Sequence, residues 1–323
     1  MIDHPFVSVV IETITREDYD ARSLADHLQP LLDAILGQSY PREMIETLVV
    51  VDAALLGSES DEAVRRYPWV KIVSSPQRNY FAAKNAGVRA SRGSIVALID
   101  GDCVPARDWL EILIAPLRDD TISAVAGATR YAGTTLKART FSVPDFANVV
   151  GDNSGAASGF NINNCAFRRE VLLATPLDSR IRRDGGCFLL YHQLRAAGVR
   201  IVYEPLARVQ HGLDIASKGF VRKHFNRGFD GVSVYRADDA AVLRGTRLFR
   251  RFGAVALVAF AGRRIAIDWL RLIRHRGQIG IPVIAIPYFA AVTVMVRLIG
   301  LTGGLVALAR TGRAPMAATA PSR

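Results

Sequence analysis

Asp100-Gly101-Asp102 sets two carboxylates one residue apart, directly after the apolar run IVALI. Hard divalent cations are held by one or two carboxylates together with phosphate oxygens of a substrate. The spacing therefore suits Mg2+ or Mn2+ beside a diphosphate, with the glycine allowing close backbone approach. Asp and Gly are also common turn formers, so the triplet alone leaves an ordinary turn open. Other polar residues share its placement at the end of an apolar run: Glu12 and Thr13 after VSVVI, and Asp52 after LVVV.

Those runs define the elements that must position the chemistry. Residues 6–11, 47–51, 70–73 and 95–99 read as short strands rich in β-branched residues. Residues 23–36, 59–67 and 82–90 carry apolar residues at helical spacing. Strands that alternate with helices and are apolar on both faces predict an α/β fold, a mainly parallel sheet with helices on both faces. Ligands of such sheets bind at the carboxyl ends of the strands, where Glu12, Thr13, Asp52, Asp100 and Asp102 fall. The second half begins near Gly127 and is less regular. Residues 151–164, GDNSGAASGFNINN, read as a binding loop too small and polar for a core. A helix over 187–197 ends at Gly198, a C′ glycine, before a strand over 199–203 and the segment EPLARVQH. There is no internal repeat.

Composition bounds the class. The chain has 323 residues, 50% hydrophobic and 22% charged, which suits one large domain or two ordinary ones and excludes a disordered or collagen-like protein. Cys103, Cys165 and Cys187 make no C-x-x-C pair and are odd in number. They read as core residues in a reducing compartment, not as a disulfide framework or zinc ribbon. The net charge of +11 is uneven: residues 218–276 carry 14 basic and four acidic side chains, whereas residues 1–217 carry 23 and 26.

A basic stretch attracts nucleic acid or anionic lipid through the same Coulomb force. Here it abuts eighteen uncharged residues, 279–296, followed after Arg297 by a second apolar run, 298–309. Membrane helices need about 20 such residues, so a membrane surface or bilayer is the expected partner and nucleic acid is not. Pro282 and Pro287 are expected to kink the first run, and Gly300, Gly303 and Gly304 to loosen the second. The competing expectation is a buried hairpin that closes the domain. Arg263, Arg264, Arg271, Arg274 and Arg276 precede the apolar run, which predicts a cell-membrane protein with its N-terminal domain on the cytoplasmic side. The start, MIDHPFVSVVIETI, has neither the cationic region nor the cleavage site of a signal peptide.

NYFAAKNAGVRASRGSIVALIDGDCVP, with VSVVIET, ETLVVVD, NNCAFRREVL and RAAGVRIVYEPLARVQH, resembles the signature of family 2 glycosyltransferases over roughly residues 6–212. The resemblance implies a GT-A fold, a nucleotide-diphospho-sugar donor, a divalent metal, and inverting transfer of the sugar to the hydroxyl of a carbohydrate or lipid-linked acceptor. Position by position, it implies that Glu12, Thr13 and Asp52 meet the nucleoside, with uracil or thymine the favoured base. Lys84 and Asn85 match the family's Arg-Asn pair, and Arg78 lies where a cation meets the diphosphate. Asp100 would contact the ribose or a metal-bound water, Asp102 and His211 would bind the metal, and Arg227 in KHFNRGFDG would touch phosphate. VDAALLGS replaces the family's usual D-D-G-S turn.

Inversion needs a carboxylate that deprotonates the acceptor, which the family usually supplies in a G-E-D-x-D-L stretch. Here the stretch reads RRDGGCFLL and offers Asp184, for which helix capping is the plainer alternative. The expected division is a GT-A domain over 1–217, a basic interfacial helical segment over 218–276, and apolar membrane-associated helices with a short disordered tail over 277–323. Cell-envelope or polysaccharide biosynthesis is the expected setting. Two other readings stand beside it: a sugar nucleotidyltransferase, disfavoured because VIETITREDYD has no glycine-rich phosphate loop, and a non-catalytic relative that has lost its base.

Overall fold

Valine and isoleucine crowd the first strands because both faces of the sheet are covered. The computed structural model describes residues 4–13, 23–53, 56–133, 135–146, 149–212, 217–279 and 281–311; the tail expected to be disordered lies outside the described residues. β1 (Val7–Glu12), α1 (Leu24–Leu36), β2 (Ile45–Asp52), α2 (Ser58–Arg66), β3 (Val70–Ser75), α3 (Tyr80–Ala90) and β4 (Ile95–Asp100) alternate as expected. Along β1, Val7, Val9 and Ile11 join Leu24, Leu28, Leu31 and Leu32 of α1 in one core. Val10 points the other way, into a core with Phe81 and Ala83 of α3, the two-residue period of a strand buried on both faces.

The sheet then changes character. β5 (Cys103–Pro105), α4 (Trp109–Ile114), β6 (Ala124–Tyr131), α5 (Leu136–Asp145), β7 (Asn164–Arg168), α6 (Arg169–Ala174), α7 (Gly186–Ala196) and β8 (Ile201–His211) complete eight strands in the order β3-β2-β1-β4-β7-β6-β8-β5. The β3-β2-β1-β4 half is parallel. β7 runs antiparallel to β4 and β6, and β5 antiparallel to β8, while β6 and β8 are parallel. The sheet is thus parallel in its first half and mixed in its second. EPLARVQH is the continuation of β8, past an irregularity in its pairing at Gly127/Ala128. Gly198, with φ 79°, ends α7 as expected.

Part of the stretch expected to be a polar loop is interior. Phe160, Ile162, Asn163 and Asn164 are buried. Asn164 accepts from Trp109 Nε1 at 2.8 Å and donates to the Ala207 carbonyl at 2.9 Å, so its amide is satisfied inside the sheet.

The C-terminal third consists of α8 (Ser217–Ala237), α9 (Thr246–Phe252), α10 (Ala254–Ile279) and α11 (Ile286–Thr311). Pro282 lies between α10 and α11, and most of both apolar runs, from Ile286 to Thr311, is one helix. Pro287 sits in its first turn, where proline is tolerated, and Arg297 does not break it because its guanidinium meets Asp268 of α10 at 2.6 Å. Gly300, Gly303 and Gly304 do not loosen α11 but let it touch α8: a Cβ on Gly303 would lie 2.0 Å from the Phe225 carbonyl oxygen. Phe220, Val292 and Val296 of these helices share a core with Tyr131, Phe141 and Phe146 of the sheet half.

Candidate active site

Register brings the strand-end polar residues together. Glu12 pairs across the ladder with Asp100 on one side and Val50 on the other. Glu12 and Thr13 are buried, and Thr13 Oγ1 donates to the Val50 carbonyl at 2.8 Å. Asp52 faces Arg78, whose Nε lies 3.8 Å from its carboxylate. Asp100 turns inward. Its Oδ1 meets the fully buried Lys84 Nζ at 2.6 Å, and Tyr80 Oη donates to both carboxylate oxygens at 2.9 Å. The ammonium holds the Asp100 carboxyl below its usual range against the opposing effect of burial, and the carboxylate in turn raises the Lys84 amine.

Lys84 is therefore enclosed beneath Asp100 rather than presented to a ligand. Asn85 is also committed: its amide donates to the Leu177 carbonyl at 2.7 Å and accepts from Leu177 N at 3.1 Å, tying α3 to the segment after α6. The missing Cβ of Gly101 faces Leu28 and the Glu12 carbonyl, 3.1 and 3.2 Å away. That glycine allows the turn to pack on α1 and does not open a path for a diphosphate.

Asp102 faces the other way. β5 pairs with the end of β8 so that Cys103 lies opposite His211, and His211 Nε2 comes 3.5 Å from Asp102 Oδ2. His211 Nδ1 lies 2.8 Å from the Gly212 carbonyl. A proton on Nδ1 donated there leaves the Nε2 lone pair directed at Asp102, the usual way a second partner orients a ligating imidazole. Metal–ligand distances of about 2.0–2.2 Å allow one cation to reach both atoms. Cys103 lies in the same cluster, but burial pushes its thiol well up, and a neutral thiol is a poor ligand for a hard cation. The donor set that remains, one carboxylate oxygen and one imidazole nitrogen, fits Mn2+ better than Mg2+, which prefers oxygen.

Beyond His211 stands an aromatic wall. Its ring lies 5.6 Å from Tyr131 and 5.4 Å from Phe146. Behind the wall is Asp145, fully buried at the end of α5, which the sequence did not single out. It accepts from Tyr131 Oη and from Arg227, and from Lys223 Nζ at 3.0 Å. Arg227 and Lys223 hold the Asp145 carboxyl well below its usual range. Arg227 reaches in both directions, its Nε lying 3.3 Å from Asp184 Oδ1. Asp184 does not cap α7: the N-cap is Gly185, with no side-chain hydrogen bond. The Asp184 backbone N–H donates to buried Asp230 at 3.1 Å, and burial together with the Asp184 charge raises the Asp230 carboxyl. Asp145, Tyr131, Lys223 and Asp230 thus belong to the site. The only sequence signal for Asp145 was an acid between apolar residues in SVPDF.

A sheet that is parallel for four strands and then mixed, with a D-x-D turn at its centre, is the GT-A type of glycosyltransferase fold. The chain belongs to glycosyl transferase family 2, whose profile matches residues 8–172, just over half of its length. It is similar to the glycosyltransferase AglE of Haloferax volcanii, with 30% identity over 39% of this chain and 40% of that protein. It is also similar to the glucosyl-dolichyl phosphate glucuronosyltransferase of the same organism, with 25% identity over 64% of this chain and 69% of that protein. The chain thus spans well under two thirds of AglE. Among solved structures, a mannosyltransferase from Pyrobaculum calidifontis in complex with GDP-Man and Mn2+ superimposes with a TM-score of 0.65 at 20% identity. That match covers 96% of this chain and 89% of the other. GalNAc-T7 with UDP, GalNAc and Mn2+ superimposes with a TM-score of 0.53 at 15% identity, over 72% and 51%. At these identities the two structures speak for the fold.

Proposed function

We propose that the protein transfers a sugar from a nucleotide-diphospho-sugar, of UDP or dTDP type, to an acceptor hydroxyl with inversion at the anomeric carbon, at a membrane surface in envelope or polysaccharide synthesis. The observation that carries this reading is the line from the Asp102–His211 pair, along the Tyr131–Phe146 wall, to Arg227 between Asp145 and Asp184. Glu12, Thr13 and Asp52 border the nucleoside, with Arg78 at the rim beside Asp52. Lys84 and Asn85 act from beneath: Lys84 fixes Asp100, and Asn85 anchors the helix that carries it.

Asp102 and His211 would hold Mn2+ or Mg2+, which when bound supplies positive charge against the departing diphosphate. Arg227 and Lys223 would add two cations held in place by Asp145, so that they need not reorient as charge develops. Asp184, 3.3 Å from Arg227 Nε, accepts the acceptor's hydroxyl proton. The acceptor oxygen then bonds to the anomeric carbon as the carbon–oxygen bond to the diphosphate breaks, and the nucleoside diphosphate leaves with the electron pair. One displacement inverts the centre, and no covalent enzyme intermediate is needed.

The C-terminal helices support the membrane setting. α11 carries the one candidate span among the described residues, Val283–Arg310, with mean hydropathy 2.0. One side of α11 packs on α5 and α8, while Tyr288, Met295 and Leu298 face outward. That outward face is apolar enough to meet lipid. Exposed Arg247, Arg250 and Arg251 alternate with exposed Leu248, Phe252 and Val255, as a helix on an anionic cytoplasmic leaflet requires. On this reading residues 1–217 hold most of the donor site, and residues 218–323 seat it on the membrane.

Asp184→Asn tests the chemistry. Transfer is expected to fall at least ~100-fold with nucleoside diphosphate affinity unchanged. Full turnover in Asp184→Asn would refute its role as base.

A further inference from the structure

Asp184 stands on a segment, residues 177–185, that is neither helix nor strand, yet a catalytic group must keep its place to within about 0.5 Å. Two helices supply the rigidity that the segment lacks. One face of α8 presents Arg227, Asp230 and Val234, spaced at i, i+3 and i+7. Arg227 Nε lies 3.3 Å from the Asp184 carboxylate, and Asp230 accepts the Asp184 backbone N–H at 3.1 Å and Arg182 Nε at 3.2 Å. Gly185, with φ 90°, comes so close to the same face that a Cβ on it would lie 2.6 Å from Val234 Cγ2.

Asn79, the N-cap of α3, grips the segment from the other side. Its Oδ1 accepts from Phe81 N at 3.0 Å and Ala82 N at 2.9 Å. Its Nδ2 lies 3.1, 3.1 and 3.3 Å from the Ser179, Ile181 and Arg182 carbonyl oxygens. One amide thus caps the helix that fixes Asp100 through Lys84 and holds the chain up to two residues before Asp184. Asp230 is a poor choice for stability alone. It is 2% exposed while its cationic partner Arg182 is 58% exposed, and burial and the Asp184 charge both oppose its ionised form. An apolar side chain there would avoid the cost of burying a carboxylate.

We propose that Asp230 and Asn79 are positioning residues that act through Asp184, gripping its segment from α8 and from α3 so that the carboxylate keeps one place relative to Arg227 and the Asp100–Asp102 turn. This inference rests on the glycosyltransferase reading, in which Asp184 is the base. Misplacing a reacting group by about 1 Å costs about 100-fold in rate, so loss of either grip lowers turnover and leaves nucleotide binding in place.

The test uses the full chain in detergent with Mn2+. Asp230→Ala removes the acceptor of the Asp184 N–H, and Asp230→Asn keeps an oxygen for it. Asn79→Asp keeps the cap of α3 and loses the donated N–H groups. Amide hydrogen exchange at Asp184 is expected to quicken at least ~10-fold in Asp230→Ala and less in Asp230→Asn. Release of nucleoside diphosphate from UDP- and dTDP-hexoses, with water as acceptor, is expected to lose at least ~10-fold in kcat in Asp230→Ala and in Asn79→Asp. Asp230→Asn should recover part of that loss, and KM and nucleoside diphosphate affinity should stay within about twofold. In an Asp184→Asn background either substitution should change the residual rate by less than about twofold, because residues that act as a unit are not additive. Unchanged exchange at Asp184, unchanged kcat, or the same loss in the Asp184→Asn background would overturn the proposal, the last assigning both residues to stability alone. The exchange measurement needs no donor, so it decides whether the grip exists even where no hexose is turned over. Absence of both nucleotide binding and release in the wild-type chain would instead mark failure of the glycosyltransferase reading.

Discussion

Lys84 and Asp100 form a pair in which neither partner can be lost alone. Lys84 is fully buried against the carboxylate at 2.6 Å, so Lys84→Met leaves an uncompensated charge in the sheet and is expected to cost about 3–5 kcal/mol, seen as a lower denaturation midpoint. His224 makes a second prediction. It is 1% exposed with its Nε2 3.7 Å from Asp145, and burial pushes its imidazole down to about 4. A base whose folded value lies below its unfolded value, about 6.5, binds fewer protons folded than unfolded. Its contribution is complete above the unfolded value and is lost as pH falls towards 4. Stability should therefore drop between pH 7 and pH 5 by roughly 2 kcal/mol from this residue, with His192, also lowered by burial, adding in the same direction. His224→Asn should flatten that slope, and an unchanged slope would refute the assignment.

At the scale of elements, the contact between α8 and α11 sets where Arg227 and Lys223 stand. A methyl on Gly303 would lie 2.0 Å from the Phe225 carbonyl oxygen, which is backbone and cannot swing aside. Gly303→Ala is expected to cost about 1–3 kcal/mol by overpacking and to lower transfer through misplacement of Arg227; a variant with wild-type stability and turnover would contradict this close packing. That contact was not legible in the sequence, where Gly300, Gly303 and Gly304 read as flexibility because glycine alone does not say what it touches. The first four strands were legible, because two-sided burial writes itself as continuous β-branched runs. Their carboxyl ends gave Glu12, Thr13, Asp52, Asp100 and Asp102. Lys84 and Asn85 were visible only as motif positions, and their inward direction follows from packing that no spacing reveals. Asp145 was missed because its partners Tyr131, Lys223 and Arg227 come from a strand, β6, and a distant helix, α8.

In the whole molecule, a GT-A sheet is joined to a helical layer whose outer surface is apolar and basic and whose inner surface is charged. The sheet supplies Asp102 and His211, and the helical layer supplies Arg227 and Lys223. The site is incomplete unless both halves pack on α5. Asp102 and His211 are proposed to serve a metal-bound nucleoside diphosphate. Calorimetric titration of UDP, dTDP and GDP into the detergent-purified full chain, with and without Mn2+ and in Asp102→Ala, tests it most directly. UDP or dTDP is expected to bind only with Mn2+, and Asp102→Ala to abolish that binding. No binding of any of the three to folded protein with Mn2+, or undiminished binding in Asp102→Ala, would contradict it.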